Sequence, residues 1–264
     1  MVTILGRPGT VVVTGGASGI GLATVERLLD GVADRCAVLD LRPDREVVGR
    51  LAERFGTDRI SALACDVADQ DAVAGAVDRL AQAGPIAGLV NCAGTLLAKP
   101  SLDITLADLH RLFDVHVAGS LFAAQAVART WIARNEPGAI VNLSSVASSF
   151  GWPGRLPYPI AKTGTEAMTR TLAVEWARWR IRVNAVAPGT VDSPLMAEGR
   201  RPPGVKPIEE VVDRHALGRA AAPSEIADAI TFLLSESSSF MTGAVVPVDG
   251  GFTITKDSAK ELTR

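Results

Sequence analysis

Net positive charge is the first thing this sequence lacks: 27 Lys and Arg against 29 Asp and Glu leave a formal charge of -2. Without a cationic excess to displace counterions from phosphates, nucleic acid is not an expected partner. Cysteine is scarce too. Cys36, Cys65 and Cys92 are odd in number and widely spaced, with no CxxC and no Cys/His cluster. A disulfide framework and a ligand-spaced zinc site are both excluded, and the three thiols read as small buried hydrophobes in a reducing compartment. No apolar run reaches the roughly 18 residues of a membrane span. Met1–Pro8 carries no apolar stretch of the signal-peptide kind. The expectation is a cytoplasmic protein with no membrane partner. Aromatics make up only 5% of the chain, and there is a single tyrosine, Tyr158.

The chain does have length and apolar content, with 264 residues, 47% of them hydrophobic. A chain of this size can bury roughly 70–75% of its unfolded surface without a covalent or metal staple. Short β-branched runs alternate with helical patterns from end to end. Strands are predicted at Thr10–Thr14, Cys36–Asp40, Ile60–Ala64, Gly88–Asn91, Ala139–Ser144, Arg182–Ala187 and Ala244–Val248. Helices are predicted at Gly21–Leu29, Asp44–Phe55, Asp71–Ala83, Leu106–Arg134, Ile160–Trp179 and Ser224–Ser235. This alternation predicts an α/β fold, a doubly wound, mostly parallel, seven-stranded sheet of Rossmann type. No linker interrupts it, so residues 1–264 read as a single domain. The exception is 193–217, where Gly199, Pro202, Pro203, Gly204 and Pro207 predict a lid-like insertion. The clusters Arg178/Arg180/Arg182 and Ser235–Ser239 read as solvated surface.

The first strand runs into Thr14-Gly-Gly-Ala-Ser-Gly-Ile-Gly21. Gly15, Gly19 and Gly21 allow a tight turn and close approach of backbone N–H groups to a pyrophosphate, with Ser18 and Ile20 between them and a helix N-terminus behind. Asp40, followed by Leu41, ends the second strand. A carboxylate there can accept from the ribose hydroxyls of an adenosine and repels a 2′-phosphate, so NAD is expected over NADP.

Tyr158-Pro-Ile-Ala-Lys162 opens a long helix. Residues four apart share a face, so the Lys162 ammonium can lower the phenol and make Tyr158 a general base near neutral pH. Ser145, thirteen residues earlier at the end of the fifth strand, can hold a substrate oxygen beside the phenol.

In this order the pieces resemble the short-chain dehydrogenase/reductase family in its compact single-domain form, over nearly the whole chain. They are Thr14–Gly21, Cys65-Asp-Val67, Asn91-Cys-Ala-Gly94, Ser145, Tyr158/Lys162, Asn184-Ala-Val-Ala-Pro-Gly189 and Val248-Asp-Gly-Gly251. The resemblance implies an NAD-dependent oxidoreductase interconverting a secondary alcohol and a ketone. It implies Asp66 and Val67 at the adenine and the Asn91, Ala93 and Gly94 turn beside the ribose. Lys162 would hydrogen-bond the nicotinamide ribose, and Pro188, Gly189 and Val191 would meet the carboxamide, with Ser193 where the family usually has Thr. It also implies a homotetramer. Alternatives are a cofactor-binding regulator that has lost catalysis, or a ketoacyl-type reductase using NADPH. The close Tyr158–Lys162 spacing and the aligned Ser145 argue against an enoyl reductase.

Two departures from the family pattern stand out. His116, in Phe113-Asp-Val-His-Val-Ala-Gly119, replaces the usual Asn of a proton relay from the lysine. Histidine can keep that relay and add a pH-sensitive charge, or simply pack against a carbonyl. Pro157 and Pro159 flank the tyrosine, and a residue before proline is biased away from the helical region, which predicts Tyr158 at the very start of this helix. Trp152, seven residues past Ser145, reads either as a substrate wall or as loop core. Arg200, Arg201 and Lys206 in the insertion read as solvated charges rather than an anion site.

Overall fold

The computed structural model describes residues 8–195 and 212–255. Most of the 193–217 insertion, with Arg200, Arg201 and Lys206, lies outside them, as does 256–264. Seven strands form one sheet in the order β3-β2-β1-β4-β5-β6-β7, and every neighbouring pair is parallel. The strands are β1 Thr10–Thr14, β2 Arg35–Asp40, β3 Ile60–Ala64, β4 Ile86–Asn91, β5 Gly138–Leu143, β6 Ile181–Pro188 and β7 Val245–Val248. Between them run α1 Gly19–Leu29, α2 Arg45–Phe55, α3 Gln70–Ala83, α4 Leu106–Phe113, α5 Gly119–Ala133, α6 Pro157–Trp176 and α7 Pro223–Leu234.

The pleat distributes the core. Val11 and Val13 of β1 face α1, α2 and α7, while Val12 faces α3, α5 and α6. All three valines are fully buried, as a central strand covered on both faces requires. The chain reverses direction of travel between β1 and β4, and that switch point opens a crevice beyond the strands' carboxyl ends. Helix starts are fixed locally: Asp44 and Asp69 accept from the first-turn N–H groups of α2 and α3, and Thr105 with Asp108 forms a capping box on α4. Among the described residues no helix is long and apolar enough to cross a membrane.

The structure corrects three readings. The predicted helix Leu106–Arg134 is interrupted by a π-helical turn, Asp114–Ala118, which carries His116. Such a turn is invisible to a 3.6-residue pattern, because one widened turn keeps His116 and Val117 on the buried side and Asp114 outside. Arg182 is no surface charge. It donates to the carbonyls of Leu233, Leu234, Ser235 and Met241, closing the C-terminal end of α7. Ser235 and Ser238 are likewise buried, with their hydroxyls bonded to carbonyls of the same turn.

Candidate active site

The crevice is walled on one side by main chain. Gly15 has φ +65°, and a Cβ there would lie 2.7 Å from Ala93 N and Cα. A Cβ on Gly21 would lie 2.1 Å from the Gly15 carbonyl oxygen. Only glycine permits this folding of the loop onto the β4 end and onto itself. Ser18 precedes α1 in an extended conformation without a side-chain cap bond, which leaves the first N–H groups of the helix without a side-chain partner from it. Across from Gly19 stand Ser193 and Pro194. Asp40 sits at the end of β2, its carboxylate accepting from Ala17 N at 3.2 Å and Arg42 N at 3.1 Å. Leu41 beside it is exposed. These features fit a nucleotide pyrophosphate and ribose: a loop that only glycine lets fold this tightly, with uncapped N–H donors at a helix start.

Other predicted contacts are placed less directly. Asp66 accepts from Ala68 N at 2.9 Å, which shapes the turn after β3. Val67 is buried against Gly119, where a Cβ would come within 2.9 Å of it. Asn91 turns into the sheet rather than the crevice, donating to Asn142 Oδ1 at 2.9 Å and to the Ser120 carbonyl at 3.2 Å. Asn142 in turn donates to Thr169 on α6 at 2.9 Å. Ala93 N donates to Thr14 Oγ1 at 3.2 Å, tying the Asn91–Gly94 turn to the end of β1.

The opposite wall is made of side chains. A cavity of about 410 Å³ lies beyond β4, β5 and β6, lined by Gly94, His116, Ser145, Tyr158, Lys162 and the Pro188–Val191 backbone among others. Ser145 stands two residues past β5, where it caps the short 3₁₀ turn Val146–Ser148. Its hydroxyl accepts from Ala147 N at 3.1 Å and hydrogen-bonds the Tyr158 phenol. Tyr158 is the second residue of α6, inside the helix despite the proline after it. Pro157 takes the first helical position, where no N–H is needed, and Tyr158 N donates to the Arg155 carbonyl at 2.9 Å. Lys162 follows one turn later, its Nζ 5.6 Å from the phenol ring centre.

Burial sets the protonation of this wall. It raises the phenol above its ordinary value, opposed by the Ser145 hydrogen bond and the Arg155 guanidinium. The lowering expected from Lys162 therefore does not govern the protein alone. Lys162 is itself pushed down to about 8 by burial, and its ammonium donates to the Leu143 carbonyl at 2.6 Å. Arg155, in the loop between β5 and α6, is buried with its guanidinium 5.4 Å from the Trp152 ring centre. Trp152 lines the cavity edge-on to Tyr158, ring centres 6.2 Å apart, which makes it a wall.

His116 is also buried, its ring edge-on to Tyr158 at 5.5 Å. Nε2 lies 2.8 Å from the Thr95 carbonyl oxygen, and Nδ1 is buried without a hydrogen-bond partner. Burial first, and then the Lys162 charge, push the imidazole down to about 3. The pH-sensitive charge allowed for from the sequence is thus corrected, since His116 is neutral near pH 7. Gly94 makes room for it, as a Cβ there would meet His116 Cε1 at 2.8 Å.

One contributor had no signal in the sequence. Glu166, one turn past Lys162, accepts from Ser144 Oγ at 2.9 Å and from Ser148 Oγ. It grips the loop on both sides of Ser145.

Residues 15–253 match a family model described as enoyl-(acyl carrier protein) reductase. The cis-4-hydroxycyclohexanecarboxylate dehydrogenase of Sinomonas cyclohexanicum is 38% identical over 92% of this chain and 95% of its own. The L-xylulose reductase of Bos taurus is 37% identical over 92% of this chain and 96% of its own. A short-chain type dehydrogenase/reductase from Mycobacterium marinum superposes with a TM-score of 0.84 at 28% identity, over 93% of this chain and 95% of that one. These likenesses run along almost the full length, and the chain belongs to the short-chain dehydrogenase/reductase family.

Proposed function

We propose that the protein is an NAD(H)-dependent oxidoreductase that interconverts a secondary alcohol and a ketone. The observation that carries this reading is the meeting of Ser145, Tyr158 and Lys162 in one cavity beside a tightly folded glycine loop at a helix start. The nicotinamide nucleotide, when bound, accepts or supplies the hydride at the substrate carbon. The protein's own groups handle the oxygen. Ser145 donates to it and fixes its position. Tyr158, held protonated by burial, gives its proton to the carbonyl oxygen during reduction and takes it back from the alcohol in reverse. Lys162 holds the ribose side of the site and supplies charge close to the phenol ring. His116, neutral, leaves its Nδ1 without a hydrogen-bond partner on the same wall.

Asp40 supports NAD over NADP, because its carboxylate stands at the end of β2 fixed by two backbone N–H groups. The same reading covers a single domain over residues 1–264, a homotetramer, a small-molecule alcohol or ketone as partner, and a cytoplasmic setting.

The test is a panel of secondary alcohols and ketones assayed with each nucleotide, followed by absorbance of the reduced form. Turnover with NAD(H) at least about tenfold above NADP(H) is expected, since one unfavourable charge contact is worth about 1.4 kcal/mol or more. A preference for NADP(H) would overturn the Asp40 assignment.

A further inference from the structure

Beyond Tyr158 the cavity wall continues as a chain of rings. Trp152 is edge-on to Tyr158 at 6.2 Å, Phe150 lies 6.4 Å from Trp152, and Phe252 lies 5.1 Å from Phe150. The chain ends in a cation, with the Arg214 guanidinium 5.2 Å from the Phe252 ring centre. Phe150, Trp152, Phe252 and Arg214 all line the cavity. Ser145, Tyr158 and Lys162 therefore stand at one end of this row, an aromatic surface follows, and the exposed Arg214 ends it.

Arg214 is held in place by its neighbours. His215 is buried against Phe252 with ring centres 4.9 Å apart, and its Nε2 accepts from Thr190 N at 3.0 Å. Gly189 leaves the space for that ring, because a Cβ there would meet His215 Nε2 at 2.7 Å. Leu217 N donates to the Gly250 carbonyl at 3.1 Å on the far side. The segment carrying Arg214 is thus pinned to the ends of β6 and β7.

The charges facing the cavity are one-sided. Among the described residues that line it, Lys162 and Arg214 are the cations and no carboxylate is present. Lys162 already donates to Leu143. Asp249, close to Phe252 in sequence, has its carboxylate occupied by Gly251 N and by Thr253 N and Oγ1. A polyol would lay hydroxyls against rings that cannot pair them, leaving polar groups unsatisfied. An apolar skeleton suits the rings, and an anion suits the guanidinium.

Resting on the reaction proposed above, we infer that the substrate is an apolar hydroxy or oxo acid. Its alcohol or ketone lies at Tyr158 and Ser145, its carbon skeleton along Trp152, Phe150 and Phe252, and its carboxylate at Arg214.

The experiment compares oxocyclohexane carboxylic, acetic and propanoic acids with their methyl esters, in the wild type and in Arg214→Gln and Arg214→Lys. In the wild type one acid of the series should exceed its ester by about tenfold in kcat/KM, the effect of one charge-assisted contact at a cavity mouth. That preference should collapse to parity in Arg214→Gln and persist in Arg214→Lys. Equal use of acid and ester by the wild type overturns the inference. So does a loss in Arg214→Gln shared equally by acid and ester, or one confined to the nucleotide KM. Calorimetric binding of the acids to the nucleotide-loaded protein, lost in Arg214→Gln, reads the anion site independently of turnover. If no ketone turns over, the reaction fails while the calorimetry still decides the carboxylate site.

Discussion

On the β1–α1 side the crevice is built from main chain, whereas on the β5–α6 side it is built from buried side chains, and the two respond to different physics. The first depends on what is missing: Cβ atoms at Gly15 and Gly21 would fall 2.7 Å and 2.1 Å from neighbouring backbone atoms. The second depends on what burial does to polar groups. It raises Tyr158, pushes Lys162 to about 8 and pushes His116 to about 3. A backbone cradle can be read from local spacing, and in the proposed function it serves the nucleotide and not the substrate. The side-chain wall is where that proposal puts chemistry and selectivity, and its properties come from the rest of the fold.

Tyr158→Phe separates the two sides most sharply. It should lower kcat by about a thousandfold, within the range of a lost general acid, while leaving nucleotide affinity nearly intact. Isothermal titration beside steady-state kinetics checks both halves, and loss of nucleotide binding would dissolve the distinction.

Gly21→Ala is the converse. The new methyl cannot avoid the Gly15 carbonyl without moving the loop, so nucleotide Kd should rise by about a hundredfold, roughly 2.7 kcal/mol. The kcat at saturating nucleotide should fall by much less. An unchanged Kd would show the cradle to be softer than its geometry states.

His116 tests the burial argument through stability. Its folded value, about 3, lies below the ordinary 6.5. Between those values the unfolded chain binds a proton that the folded chain does not, so stability falls as pH drops through this window. The slope from this group is about 1.4 kcal/mol per pH unit. Urea denaturation of the wild type and His116→Asn between pH 6.5 and 4 should show the steeper loss in the wild type. Parallel curves would mean that the imidazole is not held neutral by the fold.

Glu166 gives the smallest effect and the finest distinction. Glu166→Ala leaves the Ser144 and Ser148 hydroxyls without their acceptor, and Ser145 between them loses its grip. The kcat should fall by about tenfold with KM little changed, and Glu166→Gln, whose amide oxygen can still accept, should recover most of it. Equal damage in both variants, or a change in KM alone, would remove Glu166 from the positioning of Ser145.

Much of the fold was legible because its signals are local. β-branched runs, Asp and Thr at helix starts, and glycines after β1 specify elements within a few residues, and alternation of strand and helix specifies a parallel sheet. The sequence by itself determined the seven strands, the glycine cradle, Asp40 at the end of β2, and the order Ser145, Tyr158, Lys162. Other features depend on groups far apart in the chain. Arg182 reaches the end of α7 some fifty residues away; Glu166 reaches back across β5's loop, and Arg214 closes a row of rings that begins at Trp152. The π turn that seats His116 has no periodic signature of its own. Above all, only the tertiary structure decided the protonation of the site. Spacing can bring a lysine and a phenol together, but whether each carries a charge depends on the solvent that the surrounding fold removes.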